Sequence, residues 1–204
     1  MQLLNGIFTI ALFIGYTLLW YIKRQEMLRS EGIDVNVIFK AKSPIQLYFA
    51  SMQKLMSILL IIIIILHLFS GEKWLATNRL SLFDSLTLTI IGFAVGIIGL
   101  TICRIAQVTI GKSWRVGIDQ QAMPGLITRG IYSYMRNPTY TGMYVMCAGV
   151  WLINPTILYS FWIVIFFIMM EFQVRCEEEY LEEKYGNSYT DYCKKTKRYI
   201  PFIY

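Results

Sequence analysis

Histidine is nearly absent from this chain of 204 residues, and His67 is the only one. A His-based metal site or a Ser-His pair therefore cannot be assembled, and no metal is expected. His67 stands among Leu66, Leu68 and Phe69, near the end of an apolar run, so packing or an interfacial position is its expected role. Cysteine is also scarce. Cys103, Cys147, Cys176 and Cys193 show no C-x-x-C spacing, which removes the usual zinc and dithiol motifs and leaves free thiols. Charged residues are few, 16% against 56% hydrophobic, which is too apolar for an ordinary soluble domain of this size. There is no internal repeat, low-complexity tract or long linker, so one domain over residues 1–204 is expected.

What the chain does have is long apolar runs. Leu3 to Ile22, Leu47 to Phe69 and Leu82 to Cys103 each approach the roughly 20 residues that cross a hydrocarbon core. Two shorter runs, Tyr140 to Ile153 and Thr156 to Met170, are separated only by Asn154-Pro155, enough for a tight turn with Pro at the next helix start. The expected fold class is an all-α integral membrane protein with five transmembrane helices, the last two a helical hairpin, plus a cytoplasmic C-terminal helix. The first run has no basic residue before it and no small-residue cleavage pattern, so it is read as an anchor and not as a signal peptide.

The net charge is +6. Its basic residues cluster in the first loop (Lys23, Arg24, Arg29, Lys40, Lys42), the third (Arg104, Lys112, Arg115, Arg129, Arg136) and the tail (Arg175, Lys184, Lys194, Lys195, Lys197, Arg198). The second loop has only Lys73 and Arg79. Because cytoplasmic loops collect Lys and Arg, the N-terminus is expected outside and the C-terminus inside. Basic residues beside membrane ends point to anionic lipid headgroups as partners, not to nucleic acid.

Polar chemistry gathers in residues 104–204. In "RNPTYTG", Pro138 suits the first turn of a helix and Asn137 suits its N-cap, so the positive helix end and Arg136 together favour an anion. Gly142 leaves a notch, flanked by Tyr140 and Tyr144, where a ligand or another backbone can approach. Read without context, Asn-Pro is structural punctuation. The helix after Pro155 meets no breaker before Gly186 and is expected to leave the bilayer as one rod with a Gly C-cap. Its run "CEEEYLEEKYGNSY" spreads carboxylates around that rod at 100° per residue. An acidic run is ordinarily a wet helix face, but beside a negative membrane surface a cationic ligand would explain it better.

The joint pattern R-[HN]-P-x-Y-x-G, a short hairpin, E-E-x-x-L, an aromatic-Gly pair, spaced tyrosines and a terminal basic-aromatic-Ile-Pro resembles the isoprenylcysteine carboxyl methyltransferases and their relatives, the phospholipid-amine methyltransferases. The Gly-x-x-Trp of "IGKSW" is similar to prokaryotic members. The resemblance implies S-adenosyl-L-methionine as cofactor, the lipid bilayer as setting and a lipophilic small molecule or lipidated substrate as methyl acceptor. It places Arg136, Asn137, Pro138, Tyr140 and Gly142 against the cofactor, with Leu126, Ile127, Gly130 and Tyr132 lining it and Glu178 and Glu179 as the family's Glu pair. Arg136, Arg175 and Arg198 are the candidate catalytic cations, the last two to steady an acceptor carboxylate. Asn137 replaces the family's frequent His, so no ionisable imidazole is available there. A carboxylate, an amine and a thiol remain open as acceptor atom. An NADPH-dependent sterol-type reductase and a non-enzymatic membrane adaptor are the alternatives from other classes.

Overall fold

The computed structural model describes residues 1–32, 34–35, 44–70, 77–80, 83–114 and 125–201. Lys40, Lys42, Lys73 and Arg115 lie outside them.

The chain is all-helical in its named elements: α1 (Gln2–Glu31), α2 (Pro44–Ser70), α3 (Leu86–Ile110), α4 (Pro138–Ile153), α5 (Ile157–Tyr185) and α6 (Asn187–Lys195), with short 3-10 turns at Gly111–Ser113 and Gly130–Ser133. Four helices, α1, α2, α3 and α5, are long and apolar enough to cross a membrane. The integral-membrane expectation therefore holds at the level of the helices. α4 is 16 residues long, about 24 Å at 1.5 Å per residue, short of a core of about 30 Å. Pro138 begins it and the Asn154-Pro155 turn ends it, as the sequence led one to expect.

α1 outruns its predicted end at Ile22 by nine residues, because nothing breaks it before Gly32, whose φ of 67° makes a left-handed cap bonded back to Leu28. Ion pairs from Glu26 to Arg104 at 3.3 Å and from Glu31 to Lys112 at 2.8 Å hold that extension against the end of α3. α5 runs unbroken to Tyr185, and Gly186 (φ 52°) caps it, as expected.

α3 and α4 form the tightest pair. A Cβ added at Gly92 would lie 2.7 Å from the carbonyl oxygen of Gly149, and one added at Gly142 would lie 2.7 Å from that of Gly99. Small residues let the two backbones touch, as is usual where helices pack in lipid. The expected notch at Gly142 is thus filled by α3, not left for a ligand. The main apolar core gathers Leu12 of α1, Met56 and Ile63 of α2, Val150 and Ile153 of α4, and Tyr159 and Trp162 of α5.

Candidate active site at the start of α4

The site is assembled where the chain enters α4. Gly130 has φ 60°, a region a side chain rarely adopts, and a Cβ there would meet Thr109 Cγ2 at 2.8 Å. The turn it opens buries Tyr132, whose carbonyl receives the Tyr192 hydroxyl of α6 at 2.6 Å. Burial pushes the Tyr132 phenol above its usual range and that of Tyr192 up to about 12, so both stay protonated at neutral pH. Leu126 and Ile127 lie half-buried in the irregular stretch before this turn.

The tail of the chain straps this entry down. The backbone N–H of Arg136 donates to Lys197 O at 2.8 Å and that of Asn137 to Arg198 O at 3.1 Å. The Thr141 hydroxyl donates to Tyr199 O at 3.3 Å. Residues about 60 positions apart thereby present their side chains together.

Those side chains converge on one carboxylate. Glu178 Oε1 accepts from Arg136 Nε at 3.1 Å and from Asn137 Nδ2 at 2.9 Å. Its Oε2 accepts from Arg198 Nε at 3.0 Å and Nη2 at 2.6 Å. With 12% of its side chain exposed, Glu178 is a desolvated anion matched by two cations. Arg136 Nη1 also donates to Thr196 O at 2.6 Å, which orients its guanidinium. Asn137 is indeed at the N-cap position, but its side chain makes no capping bond. Glu178 has taken its amide, since a charged acceptor outcompetes a neutral backbone partner.

Beside this cluster Glu177 Oε1 accepts from the Tyr140 hydroxyl and from Gln173 Nε2, each at 2.8 Å. Tyr140 in turn packs with Cys103, Met143 and Met170 in an apolar chamber between α3, α4 and α5. Pro138 is buried at the first turn of α4. Arg175 is on the outer side of α5, 59% exposed and paired with Glu171 at 2.8 Å. Glu171 also accepts from Arg198 Nη1 at 3.4 Å and from the Tyr199 hydroxyl.

Of the expected site residues, the structure brings together Arg136, Asn137, Pro138, Tyr140, Glu178 and Arg198, with Tyr132 and Gly130 behind them. It leaves Glu179 exposed on another side of α5 and puts Gly142 into the helix interface. Glu177 faces inward where Glu179 was expected. The signal was present in the sequence: counted back from Leu181, E-E-x-x-L falls on Glu177 and Glu178. Gln173 and Glu171 carried no motif and were missed, and Tyr199 stood in the terminal basic-aromatic-Ile-Pro without being given a role in the site. Among the described residues no group of three or more His, Cys, Asp or Glu side chains is placed to hold a metal.

The model of the phospholipid methyltransferase family matches residues 87–188, half of the chain, and takes in α4 and Glu178 but ends before Arg198. The chain belongs to the phospholipid methyltransferase family. It is also similar to a rice protein (Oryza sativa subsp. indica) described as "Probable protein-S-isoprenylcysteine O-methyltransferase", 32% identical over 117 residues, 55% of this chain and 61% of the relative. Protein-S-isoprenylcysteine O-methyltransferase B of Arabidopsis thaliana is 29% identical over 116 residues, 55% of this chain and 58% of its own. The match thus spans about three fifths of these curated relatives. The solved eukaryotic intramembrane Ras methyltransferase, an isoprenylcysteine carboxyl methyltransferase, superposes with a TM-score of 0.57 at 22% identity, covering 96% of this chain and 68% of that one. At that identity the likeness is one of fold. These relatives are eukaryotic, so they lend no support to the prokaryotic likeness expected from Gly111 to Trp114.

Proposed function

We propose that the protein is an S-adenosyl-L-methionine-dependent membrane methyltransferase that esterifies the carboxylate of an isoprenylcysteine-like, lipophilic acid. The observation that carries this reading is the convergence of Arg136 and Asn137, at the start of α4, on Glu178 of α5. The names of the curated relatives give the substrate class.

The donor set fits the cofactor. Arg136 at the α4 N-terminus suits its carboxylate, Glu177 and Glu178 suit its ammonium and ribose hydroxyls, and the Tyr140 ring suits a sulfonium. Leu126, Ile127, Gly130 and Tyr132 line it from the preceding turn. The cofactor supplies an electrophilic methyl group whose leaving group is a neutral thioether. Residues 104–204 do the rest: they hold both reactants in line and exclude water. A carboxylate acceptor is already ionised at neutral pH and needs no base, which agrees with a site that has no histidine. Arg198, held by Glu178 and Glu171, is the cation best placed to steady it. One observation favours a second reading: among the described residues Glu177 is bound by Tyr140 and Gln173 and by no arginine, and it stands as a base for a phospholipid amine.

In this reading α4 completes five crossings despite its length, the N-terminus lies outside, and the α6 end meets cytosolic cofactor.

Calorimetry with S-adenosylhomocysteine tests the site. Glu178→Gln and Asn137→Ala should each weaken binding by about 1–3 kcal/mol, whereas Glu179→Gln should not change it. Equal affinity across all three variants overturns the assignment. Methyl transfer to a prenylcysteine acid and to phosphatidylethanolamine, run side by side, separates the two acceptor readings.

A further inference from the structure

The single histidine of the chain, His67, stands in the last turn of α2. It is 9% exposed, and its ring meets that of Tyr159 edge-on at 5.4 Å. Its carbonyl oxygen accepts from the amide nitrogen of Gln2 on α1. Its Nδ1, however, is buried with no hydrogen-bond partner among the described residues. The same holds for Arg79 Nε and Nη2, which belong to one planar guanidinium. Asp84 Oδ1 lies 2.7 Å from Arg79 Nε, close enough for an ion pair but out of line with the N–H. Buried polar atoms are nearly always satisfied, so three orphans on two neighbouring side chains call for a partner from elsewhere.

His67 and Arg79 line one cavity of about 50 Å³, to which Gln2, Asn5, Thr77 and Asp84 also contribute. Asn5 is 2% exposed, and its Oδ1 accepts from the Thr89 hydroxyl at 3.2 Å, so the polar group it has left for the cavity is its amide nitrogen. Since a water takes about 30 Å³, the cavity has room for one or two particles of that size and for no lipid headgroup. Gln2 is exposed, so the cavity can exchange with solvent.

The groups on offer are mostly donors. Guanidinium and primary amide nitrogens only donate, and His67 Nδ1 donates in its Nδ1–H tautomer. A water oxygen has two lone pairs and cannot accept from Arg79 Nε and Nη2, Asn5 and His67 together, whereas a spherical anion can. Charge points the same way. Arg79 has 6% of its side chain exposed and Asp84 has 38%, so the carboxylate is partly held by solvent and offsets the buried cation incompletely. A metal cation would face that guanidinium and is excluded.

We infer that this cavity binds a small monovalent inorganic anion of about the size of chloride, held by Arg79 Nε and Nη2, the Asn5 amide and His67 Nδ1–H. The anion ties α1 through Asn5 and α2 through His67 to Arg79, whose Nη1 already donates to Ile153 O at the end of α4. It is a structural ligand of the helix ends and takes no part in methyl transfer.

Thermal unfolding in detergent tests this, at constant ionic strength, with sodium gluconate replaced stepwise by sodium chloride or bromide. Gluconate is too large for the cavity. In the wild type the midpoint should rise and level off, by about 3–5 °C once the halide exceeds its Kd tenfold. His67→Phe, which keeps an aromatic ring against Tyr159, and Arg79→Met should each lose most of this difference between salts. Arg79→Met also loses its bond to Ile153 and should melt lower in every salt, so only the difference is read. Equal wild-type midpoints in gluconate and halide overturn the inference, because the cavity then holds water only. A difference that persists undiminished in both variants overturns it too, since the anion is then bound elsewhere. Crystals of the wild type grown in bromide need no variant: an anomalous peak against Arg79 and His67 is expected, and its absence there refutes the site even where the variants do not fold.

Discussion

Arg79 Nη1 donates to the carbonyl oxygen of Ile153, the last residue of α4, at 2.8 Å. That carbonyl is one of the orphans every helix C-terminus leaves, and a guanidinium satisfies both its hydrogen bond and its partial negative charge. Arg79 is anchored in turn by Asp84 at 2.7 Å, with 6% of its side chain exposed. Next to it, Leu80 N donates to Pro155 O at 2.9 Å, and Asn154 Nδ2 reaches Thr9 Oγ1 of α1 at 2.7 Å. The α4–α5 turn is thus locked at the end of the bundle opposite the Glu178 cluster, which explains a basic residue in a loop that otherwise has only Lys73.

Arg79→Met should therefore destabilise the protein by about 1.5–3 kcal/mol, the usual worth of a hydrogen bond to a charged group. The thermal midpoint in detergent should fall, while affinity for S-adenosylhomocysteine in the folded fraction stays within about twofold. An unchanged midpoint would show that the turn holds without this cap.

Contact between the α3 and α4 backbones makes a second prediction. Gly149→Ala places a Cβ 2.5 Å from Gly92 O and from Gly96 N, both backbone atoms that cannot move aside. It should cost about 1–3 kcal/mol by overpacking. Gly125→Ala, where an added Cβ meets nothing within 4 Å among the described residues, is the control and should leave the midpoint unchanged.

Orientation can be read with single cysteines. Asn78 and Ser188 are both exposed. Asn78→Cys should react with an impermeant maleimide in intact cells, and Ser188→Cys only after permeabilisation, in accord with the Lys/Arg asymmetry. The opposite pattern would put the Glu178 cluster on the side away from cytosolic cofactor.

Tyr192 gives a pH prediction. Burial raises its pKa in the folded protein to about 12, from the usual tyrosine value of about 10. The neutral phenol is thus favoured by folding. Its contribution should be complete below about pH 10, where the unfolded chain keeps its proton, and should be lost as the pH rises through 12. Tyr192→Phe should remove about 0.5–1.5 kcal/mol at neutral pH, the value of the bond to Tyr132 O, and should flatten the loss of stability over that alkaline window. A variant with an equally steep alkaline limb would assign the titration to another group.

The membrane class, the ends of α4, the Gly186 cap of α5 and the chain segments of the candidate site were legible in the amino-acid sequence because each depends on local chemistry. Length and apolarity define the runs. Pro138, the Asn154-Pro155 turn and Gly186 act through their own backbone preferences. Proximity of the α4 entrance to the acidic part of α5 followed from two motifs that make chemical sense only together.

Which atoms meet was decided by tertiary structure. The membrane part of α5, "ILYSFWIVIFFIMM", is apolar on every side, so its periodicity carries no information about which face turns inward. That rotation is set by non-local packing of Met170, Gln173 and Val174, and it turns Glu177 and Glu178 inward while leaving Glu179 in solvent. The same holds for Asn137, whose side chain would cap α4 in isolation but is captured by a carboxylate 41 residues away. It holds again for Gly142, whose open notch exists only until α3 is laid against it.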